Sequence, residues 1–190
     1  QACATVGQCE LMYMYDKMFA EYSHKVGQLL ITKEDVEDAQ RRGNLIACFD
    51  RLLEMGVLPI INENDAVAVE EIVYGDNDSL SAIVARLIHA DLLIILSDID
   101  GLYDADPRKH PEARRIPRVE EITDELRRAC TGAGSELGTG GMETKLRAAE
   151  IAEQDGIPTI VMNGTPPENI YQALDGADIG TIFERKASHA

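Results

Sequence analysis

The stretch Leu92 to Ser97, LLIILS, runs through five consecutive aliphatic residues before its first polar one. It is far too short to cross a bilayer, and it lacks the alternation of a strand with one wet face. An uninterrupted apolar strand of this length suits a central parallel strand covered on both faces. That placement requires helices on either side of a sheet, so the rest of the chain should alternate strand and helix.

It does. Lys25–Thr32 (KVGQLLIT) reads as a short strand, and Thr32 followed by Asp35 resembles a capping box opening a helix that ends near Gly56. GVLPIINENDA, residues 56 to 66, is a second strand stopping on Asn62, Glu63, Asn64 and Asp65. EIVYGDNDSL, residues 71 to 80, reads as a short edge hairpin leading into a helix with Leu80, Ile83, Val84, Leu87 and Ile88 on one side. After LLIILS come a connection rich in Gly, Asp and Pro, a charged helix from Val119 to Cys130, and a small-residue loop from Thr131 to Gly141. GTGGMETKLRAAE then opens a helix stopped by Gly156 and Pro158. IPTIVMNG is a further strand, ENIYQALDG a short helix and IGTIF a final strand. The expected fold is α/β: a mainly parallel sheet sandwiched by helices in three layers, within one domain over residues 1–190. The chain opens without Met on a helical pattern whose Val6, Cys9, Met12, Tyr15, Met18, Phe19 and Tyr22 share one side, a core face or an oligomer contact. Such a domain commonly opens on a strand, so an N-terminal part is expected to be missing.

Charge narrows the partners. A net charge of −16 disfavours nucleic acid and anionic membrane, both of which need a basic face. It leaves ATP open, because charges beyond roughly 8 Å are largely screened at physiological salt. The four cysteines are irregularly spaced without a C-x-x-C pair, which argues against a disulfide framework and a zinc site. A cytoplasmic protein fits. His24, His89, His110 and His189 fall in no metal spacing, and no metal-binding side chains are assigned.

Polar residues recur where strands end: Asn62 to Asp65, then Ser97 and Asp98, then Asn163 and Gly164. Ligands of open α/β sheets sit outside the carboxyl ends of the strands, although strand ends also turn at the surface, where polar residues are the default. The glycine-rich stretch is neither a Walker A loop, which requires G-x-x-x-x-G-K-[ST], nor a dinucleotide fingerprint, since Glu143 stands where the last glycine belongs. In the helix that follows, Met142, Leu146, Ala149 and Ala152 form one stripe, and Lys145 falls inside it. A lysine in an apolar face near a helix N-terminus is disfavoured by desolvation and by the helix dipole, and a docked anion offsets both. Backbone N–H groups from Gly138 to Met142 would then hold phosphate oxygens. The alternative is a snorkelling lysine after a flexible turn. NEND (Asn62 to Asp65) and GDND (Gly75 to Asp78) either grip an ammonium or metal ion or serve as helix caps.

PIINENDAV, YGDNDSLSA, LLIILSDIDGLYDADPR, GTGGMETKLRAA and the closing GTIF, in this order and separation, resemble the glutamate 5-kinase family of the amino-acid kinase superfamily. The resemblance implies ATP-dependent phosphorylation of the γ-carboxylate of L-glutamate, the first step of proline synthesis. It assigns glutamate binding to Asp65 and Asn77, with Asn62 and Asp76 beside them in the same motifs. It assigns ATP to Ser97, Asp98 and the run Thr139, Gly140, Gly141, Met142, Glu143, Thr144 and Lys145. Ser97 departs mildly from the threonine frequent in the family. Asp78 matches an aspartate that orients catalytic lysines, and Lys145 a lysine that stabilises the transferring phosphoryl group. Mg²⁺ would be held mainly by nucleotide phosphates and waters. Feedback inhibition by proline and homo-oligomer formation are further implied, with no nucleic-acid or membrane partner. The family's opening lysine strand, glycine-rich turn and SGA-type turn are not matched, nor is its C-terminal accessory domain, so these 190 residues alone are expected to be inactive or very weak. Other readings are another amino-acid kinase, the kinase half of a bifunctional pyrroline-5-carboxylate synthase, and a non-catalytic metabolite-binding module.

Overall fold

The computed structural model describes residues 1–67, 76–105, 110–131 and 141–184. Their contacts fall into two compact units, Gln1–Leu80 and Ser81–Ala190.

The first unit opens with α1 (Ala2–Ala20), followed by β1 (Lys25–Ile31), α2 (Lys33–Glu37), α3 (Ala39–Glu54) and β2 (Val57–Glu63). β1 and β2 pair in parallel, from Lys25 opposite Val57 to Ile31 opposite Glu63. Ile31 and Phe49 are its most deeply buried large side chains. A Cβ on Gly27 would lie 3.2 Å from Val57 and 3.4 Å from Leu52, so a bare glycine lets α3 approach β1 closely. The capping box is present: Asp35 N–H donates to the Thr32 hydroxyl, and the Asp35 carboxylate accepts from Thr32 N–H at 2.8 Å. Burial raises the Asp35 pKa, yet the Thr32 hydrogen bonds and the Arg41 charge outweigh it and hold the carboxyl below its ordinary value.

One feature of this unit differs from expectation. The helix predicted to run unbroken to Gly56 stops at Asp38, whose backbone is extended (φ −71°, ψ 126°) and whose side chain accepts from Arg41 N–H at 2.8 Å. Asp38 is thus the N-cap of a second helix, and helical periodicity on both sides conceals the break. Gly56 does end α3, at φ +67°. The apolar side of α1 has no fully buried residue: Met12, Tyr15 and Phe19 are half-buried, whereas Val6, Met18 and Tyr22 are exposed.

Helix α4 (Asn77–Leu87) begins in the first unit, and its stripe of Leu80, Ile83, Val84 and Leu87 is buried as the periodicity predicts. Residues 71–75 of the expected hairpin lie outside the described residues; Asn77 to Leu80 are helical.

The second unit contains β3 (Leu93–Ser97), β4 (Arg118–Val119), α5 (Asp124–Thr131), α6 (Gly141–Glu153), β5 (Thr159–Asn163), α7 (Asn169–Leu174) and β6 (Thr181–Phe183). The strand order is β3-β5-β6-β4; β3 with β5 and β4 with β6 are parallel, β5 with β6 antiparallel. Alternate residues feed two apolar clusters, as a period of two requires. Leu93, Ile95, Val161 and Phe183 pack with Ala82, Ala85, Leu146, Ala149 and Ala152. Ile160 and Met162 pack with Ala173, together with Ile94, Ile170 and Ile182. Helices therefore cover both faces of this sheet, giving the layered α/β fold.

In LLIILS one face, Leu93 and Ile95, is buried, while on the other Leu92 and Ile94 are half-buried and Leu96 is exposed, and within this unit β3 stands first in the strand order and pairs only β5 among the described residues. The expectation of a strand covered on both faces holds for the face of Leu93 and Ile95 and not at Leu96, and an apolar run carries no information about the number of hydrogen-bonded neighbours. Val119 lies in β4 rather than in a helix, because Arg118 and Val119 pair with Ile182 and Phe183, and α5 starts five residues later, where Thr123 accepts from Leu126 N–H. β6 pairs β5 antiparallel and β4 in parallel, within a sheet expected to be mainly parallel.

Candidate functional site

At the carboxyl end of β2 the backbone stays extended through Asn62 and Glu63, and the Asn62 side chain accepts from Glu63 N–H at 3.0 Å. Asp65 follows in an exposed turn. At the start of α4, Asp76 accepts from Ser79 N–H at 2.7 Å and from the Ser79 hydroxyl at 3.1 Å. Asp76 is therefore an N-cap, and Ser79 beneath it is fully buried. Asn77 is exposed and Asp78 half-buried in the first turn.

Glu63 ties the two motifs together. Burial, then the nearby charges of Asp65 and Asp76, push its pKa above the ordinary glutamate value. Its Oε1 is buried and has no hydrogen-bond partner among the described residues. Glu63 at the end of β2 thus feels the charges of Asp65 in NEND and of Asp76 in GDND. Glu63 belongs to the NEND run that either grips an ion or serves as a cap, although the resemblance does not assign it to glutamate, and the register sets it opposite Ile31.

The raised pKa has a measurable consequence. Between the ordinary glutamate value and its raised value, Glu63 binds more proton in the folded than in the unfolded protein, so it lowers stability as pH rises through that window. Glu63→Gln should therefore raise the melting temperature relative to the parent more at about pH 7 than at about pH 4. Equal differences at both pH values in thermal melts would contradict this.

In the second unit, the carboxyl ends of β3 and β5 lie side by side. Gly164 N–H donates to Ser97 O at 2.9 Å, and the Ser97 hydroxyl donates to Asp98 at 3.2 Å. Asn163 Nδ2 donates to the Asp100 carboxylate at 3.0 Å, while Asn163 Oδ1 accepts from Thr165 N–H at 2.8 Å. Ser97, Asp98 and Asn163 were all read from sequence as polar strand ends, and the structure brings them together; the Asp100 partner carried no sequence signal.

Helix α6 begins at Gly141. Lys145 is only 9% exposed and lies beside buried Thr144, Leu146, Ala148 and Ala149, so the stripe read from the sequence is a buried face with a cation in it. Met142 is half-buried, Glu143 is exposed and approaches Arg147 at 3.7 Å, and the Thr144 hydroxyl donates to Gly141 O at 3.4 Å. Thr139 and Gly140, with Gly138 before them, lie outside the described residues.

Ligands of layered α/β folds bind outside the carboxyl ends of the strands, where this chain places Ser97, Asp98 and Asn163, and the N-terminal turns of a helix, where Lys145 is buried, favour anions. The sequence profile of the amino acid kinase family matches residues 1–163. The glutamate 5-kinase of Clostridium perfringens is 52% identical over 190 residues, spanning 98% of this chain and 71% of that protein. That of Clostridium acetobutylicum is 54% identical over 183 residues, spanning 96% and 68%. That of Geobacter sulfurreducens is 51% identical over 183 residues, spanning 96% of this chain and 49%, about half, of the relative. The chain belongs to the amino acid kinase family, and within it to the glutamate 5-kinases. Among solved structures, the UMP kinase of Bacillus anthracis matches with a TM-score of 0.61 at 15% identity over 96% of this chain and 68% of its own. The isopentenyl phosphate kinase of T. acidophilum matches with a TM-score of 0.60 at 20% identity, over 92% and 66%. These two share the fold.

Proposed function

We propose that the protein transfers the γ-phosphoryl group of ATP to the γ-carboxylate of L-glutamate, giving L-glutamyl 5-phosphate and ADP as the first step of proline biosynthesis. The observation that carries this reading is the identity of 51% to 54% with glutamate 5-kinases over 96% to 98% of the chain.

In this reaction a γ-carboxylate oxygen attacks the γ-phosphorus, the bond from that phosphorus to the β–γ bridging oxygen breaks, and ADP leaves with the electron pair. The nucleophile is already ionised at neutral pH, so no general base is needed. The protein's task is alignment and neutralisation of charge on the transferring group. Lys145, held in the buried face of α6 near the helix N-terminus, supplies a positive charge where backbone N–H groups also point outward. Ser97, Asp98 and the segment Thr139 to Thr144 bind ATP, and Asp78 orients the catalytic lysine.

Asp65, Asn77, Asn62 and Asp76 bind glutamate. The raised pKa of Glu63 supports adding it to this set, since three clustered carboxylates suit an α-ammonium group. Among the described residues no group of three His, Cys, Asp or Glu is arranged to hold a metal ion. A Mg²⁺ ion would enter with the triphosphate, held by its oxygens and waters, and there neutralise phosphate charge. Proline as feedback inhibitor, homo-oligomeric assembly and a cytoplasmic location belong to the same proposal. No helix among the described residues is long and apolar enough to cross a membrane.

Trapping the acyl phosphate with hydroxylamine tests the substrate. In the intact protein with MgATP, L-glutamate should give hydroxamate at least about 100-fold faster than N-acetylglutamate, aspartate or carbamate, because the first lacks the α-ammonium, the second holds its side-chain carboxylate one methylene short, and the third has neither. A preference for any of the other three acids would overturn the assignment.

A further inference from the structure

The segment from Asp98 to Leu102 leaves β3 directly after the Ser97–Asp98 pair, and two side chains from distant parts of the second unit hold it. Asn163, at the end of β5, donates to Asp100 Oδ1 at 3.0 Å and reaches Asp98 O at 3.5 Å. Its amide orientation is fixed by Thr165 N–H, which donates to Oδ1 and turns Nδ2 toward the segment. Thr181, the first residue of β6, is fully buried; its hydroxyl accepts from Leu102 N–H at 2.7 Å and donates to Ile116 O at 2.6 Å. Gly101 makes this approach possible: a Cβ there would lie 2.6 Å from Thr181 Oγ1, and its φ of +142° suits glycine. Arg115 closes the same corner by donating to Gly180 O and pairing with Asp178 at 2.8 Å.

We propose that Asn163 and Thr181 are positioning residues, a two-point clamp that fixes the Asp98–Leu102 segment and so presets the Ser97–Asp98 pair for nucleotide. The proposal rests on the reading of that pair as ATP-binding. One hydroxyl with both its donor and acceptor capacity used, and both partners far away in sequence, is a specific arrangement: isosteric valine leaves Leu102 N–H and Ile116 O unpaired, whereas serine preserves both bonds. The Thr of the closing GTIF motif thereby acquires a function in the nucleotide half of the site, although it is not itself assigned to ATP.

Thr181→Val, Thr181→Ser and Asn163→Ala in the intact protein separate the possibilities. Hydrogen exchange over residues 98–102 should quicken about tenfold or more in Thr181→Val and Asn163→Ala and stay near the parent in Thr181→Ser. In equilibrium titrations with MgATP, the first two should weaken binding about tenfold, and the KM for glutamate should stay within about twofold. Exchange unchanged in Thr181→Val and Asn163→Ala overturns the clamp. Faster exchange with undiminished ATP affinity also overturns it, since the segment would then not preset the nucleotide pair. A parent that binds no ATP but loses protection in the variants contradicts the nucleotide reading, and with it the clamp's assigned purpose, while leaving the tethering itself supported.

Discussion

Lys145→Ala is expected to lower kcat for glutamate phosphorylation by about 100- to 1000-fold, the loss typical of removing one preorganised group that stabilises transition-state charge. The physical basis is the placement of the side chain. A cation 9% exposed, in a buried face shared with Thr144, Leu146, Ala148, Ala149 and Ala152, is screened far less than one in water. At 4 Å from a unit anion and an effective dielectric of 20, its attraction is about 4 kcal/mol. That attraction strengthens as charge develops on the transferring oxygens, so the loss should fall on kcat more than on either KM. Steady-state kinetics with both substrates varied checks the split, and circular dichroism checks that the variant is folded. A metabolite-binding module without catalysis predicts the opposite: lowered ATP affinity and no turnover to lose.

Gly180→Ala should destabilise the second unit by about 3 kcal/mol, the sum of a positive-φ penalty and a backbone clash. Gly180 has φ +75°, and a Cβ there would stand 2.5 Å from Val161 O and 2.7 Å from Met162 Cβ. The clash is with the backbone and an immobile part of a buried strand, so it cannot be relieved by a side-chain rotation. The expected fall in melting temperature is on the order of 10 °C. Gly176→Ala provides the internal comparison. Its φ of +83° imposes a similar conformational penalty, but nothing lies within 4 Å of the added Cβ, so about 1 kcal/mol is expected. Equal effects of the two substitutions in denaturant unfolding would mean that the close approach of β6 to β5 is not what fixes glycine at residue 180.

The sequence was most legible where local rules act. The capping box at Thr32, the buried stripe of α4 and the placement of Lys145 inside the stripe of α6 each follow from the spacing of a few neighbouring residues, and the structure shows all three. The polar strand ends were also legible, because Ser97, Asp98 and Asn163 interrupt apolar runs at the same relative point. What was hidden depends on partners far along the chain. β4 has two residues and β6 three, too few for any period to register, and their directions are set only by pairing. The break at Asp38 is invisible because a capping aspartate inside a helical pattern looks like a surface residue. Thr181 looks like an ordinary strand residue until Leu102 and Ile116, 79 and 65 residues away, are placed against its hydroxyl. The apolar side of α1 was readable as a pattern, yet the pattern gave no indication that Val6, Met18 and Tyr22 are exposed in this unit.

For the candidate site, the residue types were legible and the electrostatics were not. Asp76 belongs to a motif assigned to glutamate, and in the structure its carboxylate also caps α4 through Ser79. Glu63, one of the four NEND residues, carries the raised pKa, because only the fold sets it near both Asp65 and Asp76. A motif identifies which side chains are available; burial and neighbouring charge decide which of them is chemically unusual.

The central claim is that a carboxylate of glutamate receives the phosphoryl group of ATP, and product stoichiometry tests it most directly. The intact protein is incubated with MgATP, L-glutamate and hydroxylamine, and ADP and γ-glutamyl hydroxamate are quantified together by mass spectrometry. The account predicts one hydroxamate formed per ADP released, with ADP release dependent on glutamate. ADP released at the same rate without glutamate, or with no γ-glutamyl hydroxamate formed, would contradict it.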